Sequence, residues 1–296
     1  MGTVEAALVA ETSSEAYSGA LGEAMRYALL APGKRVRGAL VFGAGELCGV
    51  EPAKLAALAT AIETLHASTL VHDDLPSMDN DSLRRGQPTT HVKFGEAVAL
   101  LAGDALAARA VALIATGLSL SPTERGELAG GLAETYRIVC EGQARDLSAA
   151  QNSRLAIAIP AESAPTVESL QARHLQKTGE LIAFAAAAPA FLLGAGREAE
   201  AERARGALRR YGLRLGLLFQ ITDDILDATG TSETLGKSAG IDATEGRVTY
   251  VSLLGLEKAR EAAELERRNA HIALVPFGER AWFLRELVEF VYHRER

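Results

Sequence analysis

The chain has 296 residues, of which 48% are hydrophobic and 5% aromatic, and its 31 Lys and Arg against 38 Asp and Glu leave a net charge of −7. That acidic balance, with basic residues dispersed rather than gathered in a run, excludes a general nucleic-acid binder. The excess of Ala and Leu over β-branched residues predicts an all-α globular protein, and no linker or change of composition divides residues 1–296, so a single domain is expected.

Cys48 and Cys140 belong to no CxxC or Cys/His ligand set and suit a reducing, cytoplasmic location. The opening stretch MGTVEAALVAETSSEAY lacks the basic start and apolar core of a secretory signal, and its Glu residues speak against a transit peptide. No apolar run reads as long and uncharged enough to span a bilayer.

Helical patterning starts near Val4 and runs to Leu30, broken around Ser13 and Ser14, and Ala31-Pro32-Gly33 ends it. GKRVRG then sets Lys34, Arg35 and Arg37 just ahead of the apolar run Ala39 to Leu47, so cations coincide with a helix N-terminus, the outline of an anion site. A basic trio by itself is more often solvated surface, and only its combination with acidic motifs elsewhere in the chain raises it above that.

The next helix is predicted from Pro52 to Asp74. Ile62, Leu65, Thr69 and Leu70 recur at helical spacing, while Glu63, His66 and Asp73 or Asp74 form a polar seam. Pro76 closes the helix, leaving Asp73 and Asp74 where the helix dipole repels negative charge, so two carboxylates there call for a cation. Asp79 and Asp81 add acid within the same loop, and Arg84 and Arg85 come next in RRGQPTTH. Gly86 and Pro88 make that segment a loop from which both arginines reach a cleft. Carboxylates beside guanidinium groups suit divalent metal sharing a site with a polyanion.

Helices are predicted over Gly95 to Leu118, where Gly103-Asp104 implies a close helix crossing, and over Pro122 to Asp146, where Gln143 and Asp146 share a face. Ser148 to Thr166 reads as a loop, with Thr166 capping the helix that carries Lys177 and Thr178. Gly179 and Pro189 predict a kink in it. From Glu198 to Ala228 runs a long helix, apolar on nearly all sides between Leu213 and Ile225 and therefore central. It ends in FQITDDILD, where Asp223, Asp224 and Asp227 repeat the acidic helix end. Gly230 to Arg247, with Lys237 and Arg247, has the composition of a lid that closes over phosphate. Two amphipathic helices, Thr249 to Asn269 and Gly278 to Arg296, finish the chain, and its basic HRER end is given no special role.

With DDLPSMDND and TDDILD in this order and context, nearly the whole chain resembles the trans-isoprenyl diphosphate synthases, the polyprenyl synthetase family. The resemblance implies an isoprenoid synthase-type antiparallel helix bundle around a deep central cavity, usually a homodimer. It implies a prenyltransferase that condenses isopentenyl diphosphate with an allylic diphosphate (dimethylallyl, geranyl or farnesyl). Asp73, Asp74, Asp79, Asp223, Asp224 and Asp227 would hold Mg²⁺, about three ions with substrate bound. Arg84, Lys177, Thr178, Gln220 and Lys237 would contact the allylic substrate. Lys34, Arg37, His66 and Arg85 would bind isopentenyl diphosphate, and Phe219 would pack on the homoallylic tail. Arg247 stands where the family commonly has Lys, and Gly38 replaces a usual Pro. The small Ser68, with Thr69 and Leu65 and then Ile62, would wall the growing chain and set mainly a geranylgeranyl product, farnesyl being the alternative. A terpene cyclase also ionises prenyl diphosphates, but GKRVR and RRGQPT favour a second diphosphate. A non-catalytic regulatory role would fit a degraded Asp motif, and both are intact.

Overall fold

The computed structural model describes residues 2–118, 120–149, 165–194, 196–230 and 247–294. The described residues are helical almost throughout, as composition predicts. They fall into two compact units, the first made of residues 1–134 and 188–205, the second of residues 135–187 and 206–296.

In the first unit α1 (Gly2–Glu11), a 3₁₀ turn (Glu15–Tyr17) and α2 (Gly19–Leu29) replace the single interrupted helix that periodicity predicts. α3 (Val36–Cys48) and α4 (Pro52–Asp73) follow, then a two-residue antiparallel ladder of β1 (Leu83–Arg84) with β2 (Gln87–Pro88), α5 (Thr90–Phe94) and α6 (Glu96–Gly117). RRGQPTTH is thus a hairpin and the start of a short helix rather than loop alone.

α4 packs on α3 and α6, and α1 and α2 close over it. Val4, Leu8, Tyr17, Met25, Leu29, Val71 and Leu106 meet in one buried cluster, the apolar burial that makes helices of this length stable. The close crossing expected at Gly103 is present: a side chain there would overlap the His72 ring of α4.

α6 is long and apolar enough by length and composition to cross a membrane, although Asp104 and Arg109 interrupt its apolar run. Its Ala99, Ala102, Leu106, Ala110 and Ile114 are buried, whereas Leu100 and Leu101 are exposed.

α7 (Pro122–Ala149) runs from the first unit into the second. There follow α8 (Val167–His174), a π-helical turn (Leu175–Gly179) and α9 (Glu180–Ala187). Thr166 caps α8 as the sequence indicates, in a reciprocal capping box with Ser169. The predicted kink is realised as the π turn ending at Gly179 and a 3₁₀ segment (Ala188–Leu193) that contains Pro189. α10 (Glu198–Thr229) begins in the first unit and ends in the second, where Tyr211, Leu215, Leu218 and Ile221 are buried.

α11 (Tyr250–Leu254), α12 (Leu256–Ala273) and α13 (Trp282–Tyr292) complete the second unit. The Tyr211 hydroxyl donates to Leu284 O at 2.8 Å, and Glu289 of α13 accepts from Arg267 and His271 of α12 at 2.9 and 2.7 Å. Most of the Ser148 to Thr166 loop, and the lid with Lys237, lie outside the described residues.

Candidate active site

In the first unit α4 ends at Asp73, and the chain folds back so that Asp79 N–H donates to Asp73 O at 2.9 Å, satisfying a carbonyl that the helix end leaves free. This return brings the acids of DDLPSMDND over one helix terminus. Asp74 is buried and accepts from Arg84 Nε at 2.7 Å. Burial pushes its carboxyl up from the ordinary range, against the pull of the Arg84 guanidinium.

Arg84 and Arg85 diverge because the hairpin turns between them. Arg85 and Gly86 both have positive φ, 53° and 78°, the conformation of a two-residue type I′ turn. Arg84 therefore reaches Asp74 and Asp81, whereas Arg85 Nη1 donates to Pro32 O at 2.6 Å, just ahead of Lys34. A cleft in this unit is lined by Glu63, His66, Leu70, Asp74, Arg84 and Arg85.

Lys34 is exposed and Arg37 half-buried, and Arg37 Nη1 donates to His66 Nε2 at 3.0 Å. Burial and the charges of Arg37, Arg85, Arg84 and Arg35 hold His66 well below the usual imidazole range, so the ring is neutral with its proton on Nδ1. Arg37 is lowered to about 10 by its own burial, with Glu63 opposing and Arg85 adding to the effect, and it stays cationic at neutral pH.

Arg35 does not join Lys34 and Arg37. It is buried, left-handed at φ 46°, and donates to Glu5 at 2.7 Å, Leu29 O at 3.1 Å and Ala31 O at 2.9 Å, with Glu63 at 3.8 Å. Its inward turn makes it a tether for the start of α3 rather than part of an anion site.

Earlier on α4, Leu65, Ser68 and Ile62 are fully buried, and the Ser68 hydroxyl has no hydrogen-bond partner among the described residues. Thr69 turns its hydroxyl back to His66 O at 2.8 Å.

In the second unit the last turns of α10 carry Asp223, Asp224 and Asp227. Asp224 is buried and accepts the Tyr250 N–H at 2.7 Å, at the start of α11, where the helix dipole favours a carboxylate. Asp227 is buried one turn on, and Gln220 Nε2 lies 3.4 Å from Asp223 Oδ2. Asp223 Oδ1 is 2.7 Å from Arg294 Nη2, whose guanidinium sits 3.7 Å over the Phe219 ring and also donates to Phe219 O. Arg294 of the HRER stretch, to which the sequence assigns no role, thus packs against Asp223 and Phe219. Burial lowers Arg294, with Asp223 opposing.

Lys177 and Thr178 lie on the π turn, and Lys177 Nζ donates to Asp146 Oδ2 at 2.7 Å. Burial pushes the Asp146 carboxyl up, but the charge and hydrogen bond of Lys177, with Arg247 and, in acid, a protonated His174, outweigh it and set it at about 2. Gln143, one turn earlier on α7, is buried with both amide atoms unpartnered among the described residues.

Among the described residues no three acids, His or Cys converge closely enough to hold a metal ion by themselves. The carboxylate oxygens are nevertheless the hard donors that Mg²⁺ takes. Mg²⁺ characteristically uses one or two carboxylates and fills its octahedron with water and substrate phosphate, so the acid sets fit it.

Residues 18–272, which hold both acid motifs and the arginine hairpin, match the polyprenyl synthetase family. The chain belongs to that family. A chloroplastic geranylfarnesyl diphosphate synthase of Leucosceptrum canum is 43% identical over 278 residues, covering 93% of this chain and 73% of that protein. Among solved structures, geranylgeranyl pyrophosphate synthetase from Pyrococcus horikoshii superposes with a TM-score of 0.84 at 28% identity, over 99% of this chain and 96% of its own. A Helicobacter pylori geranyltransferase complexed with magnesium and isoprenyl diphosphate gives 0.74 at 29% identity, over 92% and 86%. This polyprenyl synthetase is therefore a prenyltransferase with the isoprenoid synthase fold, as its two Asp motifs indicate.

The cytoplasmic location inferred from Cys48 and Cys140 does not stand. The Leucosceptrum canum protein is chloroplastic, and further Arabidopsis thaliana relatives are chloroplastic or mitochondrial. Two cysteines outside any CxxC or Cys/His ligand set suit any reducing compartment, so they never separated these possibilities.

Proposed function

We propose that the chain condenses isopentenyl diphosphate with an allylic diphosphate to make mainly geranylgeranyl diphosphate, with Mg²⁺ as cofactor, about three ions per site, in a homodimer. The observation that carries this is the repeated acidic helix end, Asp73-Asp74 closing α4 and Asp223-Asp224-Asp227 in the last turns of α10. At a helix C-terminus the dipole already repels carboxylates, so each set gains most from a divalent cation. Relatives named for geranylgeranyl synthesis, and the magnesium complex of the Helicobacter pylori structure, support the product and the metal.

Bound Mg²⁺ would neutralise the charge that gathers on the departing diphosphate. Asp73, Asp74 and Asp79 at the end of α4 would hold it, and Asp223, Asp224 and Asp227 in the last turns of α10 would do the same. Arg84, Lys177, Thr178, Gln220 and Lys237 orient the allylic diphosphate. Lys34, Arg37, Arg85 and the Nδ1–H of His66 receive isopentenyl diphosphate, with Arg247 adding charge. Phe219 covers the homoallylic tail, and the buried apolar face of Leu65 and Ile62 excludes water from the allylic cation. The homodimer reading draws on Val92, Leu100 and Leu101, exposed in the first unit, as the face that a second copy would cover.

Purified protein given isopentenyl and geranyl diphosphates with Mg²⁺ should make a twenty-carbon product, lost in Asp73→Ala and in Asp223→Ala while the fold persists. Near-normal turnover in either variant would remove that residue from the metal set, and a product stopping at fifteen carbons would make the enzyme a farnesyl synthase.

A further inference from the structure

The π-helical turn Leu175–Gly179 is gripped on both sides in the second unit. A side chain at Gly142 of α7 would overlap Lys177 N and come within 2.8 Å of the Gln176 carbonyl carbon, and one at Gly216 of α10 would come within 2.6 Å of Gly179 Cα. Only glycines permit backbones to approach so closely. The turn is therefore fixed on both flanks. Lys177 projects from it on a four-carbon stem, a side chain that loses about 2 kcal/mol of rotamer entropy when immobilised.

We propose that Asp146 is a positioning residue that holds the Lys177 ammonium in place before substrate arrives, so that α7 and the π turn together present a preset cation to the allylic diphosphate. The carboxylate accepts from Nζ at 2.7 Å, and both side chains are only about one-fifth exposed, 23% and 21%. An ammonium has three donors, of which Asp146 takes one. Asp146 keeps its charge through the neutral range, because its carboxyl lies at about 2. His174, on the preceding turn, is kept neutral by burial and does not compete for that carboxylate. Ordering the cation in advance moves its entropic cost from the binding step to folding.

The inference rests on Lys177 being an allylic diphosphate contact, and the variants separate the two. Steady-state kinetics with each substrate varied in turn, and calorimetric binding of inorganic pyrophosphate with Mg²⁺, are compared for Asp146→Asn, Asp146→Glu, Lys177→Met and the double variant. Melting temperatures serve as the check on folding. Asp146→Asn should raise the allylic KM about 10-fold, with the isopentenyl diphosphate KM unchanged, weaken pyrophosphate to match, and be partly rescued by Asp146→Glu. In the Lys177→Met background the same change should have no further effect. Tighter pyrophosphate binding in Asp146→Asn, or equal effects on both substrates, would overturn the positioning role. A large Lys177→Met effect beside a silent Asp146→Asn would overturn it too while leaving Lys177 in place. A silent Lys177→Met would instead remove Lys177 itself from the substrate contacts.

Discussion

The backbone N–H of Gly38 donates to Glu63 Oε1 at 2.7 Å, so the third residue of α3 is tied to the middle of α4 by a bond that proline could not make. A side chain at Gly38 would also sit 2.8 Å from Val4 Cγ1 of α1. Glu63, buried and 3.8 Å from Arg35 Nη1, is thus the acid around which the start of α3 is arranged. Gly38→Pro should therefore destabilise the protein by about 2–4 kcal/mol, although a helix's first turn tolerates proline, because it leaves a buried carboxylate short of a donor and crowds Val4. Urea unfolding of the variant measures this, and a change below about 0.5 kcal/mol would show that the bond contributes nothing net.

The opposed directions of Arg84 and Arg85 across the hairpin make a second expectation. Arg84, bonded to Asp74, should serve the anion that meets the acid cluster, and Arg85, bonded to Pro32 O, the anion beside Lys34. Arg84→Ala should raise the allylic KM, and Arg85→Ala the isopentenyl diphosphate KM, each by about 10- to 100-fold, the range of a lost charge-assisted hydrogen bond. Kinetics with each substrate varied separately decides it, and equal effects on both substrates would refute the division.

How much of this was legible in the sequence depends on how local each feature is. The span of α4, the length of α10 and the Thr166 cap came from periodicity and cap chemistry within a few residues. The hairpin escaped because its turn is Arg85-Gly86, not the Asn-Gly or Asp-Gly pair that signals a type I′ turn. Arg35 looked like part of a basic trio because its partner Glu5 lies on another helix, and Arg294 looked idle because Asp223 and Phe219 are remote in sequence. Helical spacing put Gln143 and Asp146 on one face, but the Lys177 that meets Asp146 from the π turn is a tertiary fact. Side chains at the acid motifs were readable because the chemistry demands them in short runs; the residues that hold them were not.

His174 supplies a pH dependence. Burial lowers its pKa from 6.5 to about 4, Asp146 opposing and Arg173 and Lys177 adding to the effect. The folded state therefore binds the proton less readily than the unfolded chain. Its contribution to stability is fully present above pH 6.5 and is lost as pH falls toward about 4, up to about 3 kcal/mol in all. His66, lowered well below its usual range, acts in the same sense. Melting temperatures of the wild type and His174→Gln, followed from pH 8 to pH 4, should converge toward the acid end; parallel curves would mean that His174 titrates alike in both states.

The small, buried Ser68 bears on where the product chain stops. It lies one turn and a little before Asp73, and its hydroxyl finds no partner among the described residues, unlike that of Thr69, which bonds His66 O. An unpartnered buried hydroxyl costs about 1–3 kcal/mol, so Ser68→Ala should be neutral or stabilising and should leave product length unchanged. A small residue here leaves room along α4 down to Leu65 and Ile62, both fully buried. Ser68→Tyr adds a ring of roughly the bulk of one prenyl unit on that face, and if the chain grows along it the product should shorten from twenty carbons to fifteen while the isopentenyl diphosphate KM holds. Chromatography of the dephosphorylated products reads both variants. A Ser68→Tyr enzyme that stays folded and still releases twenty carbons would place the floor of the pocket on another helix.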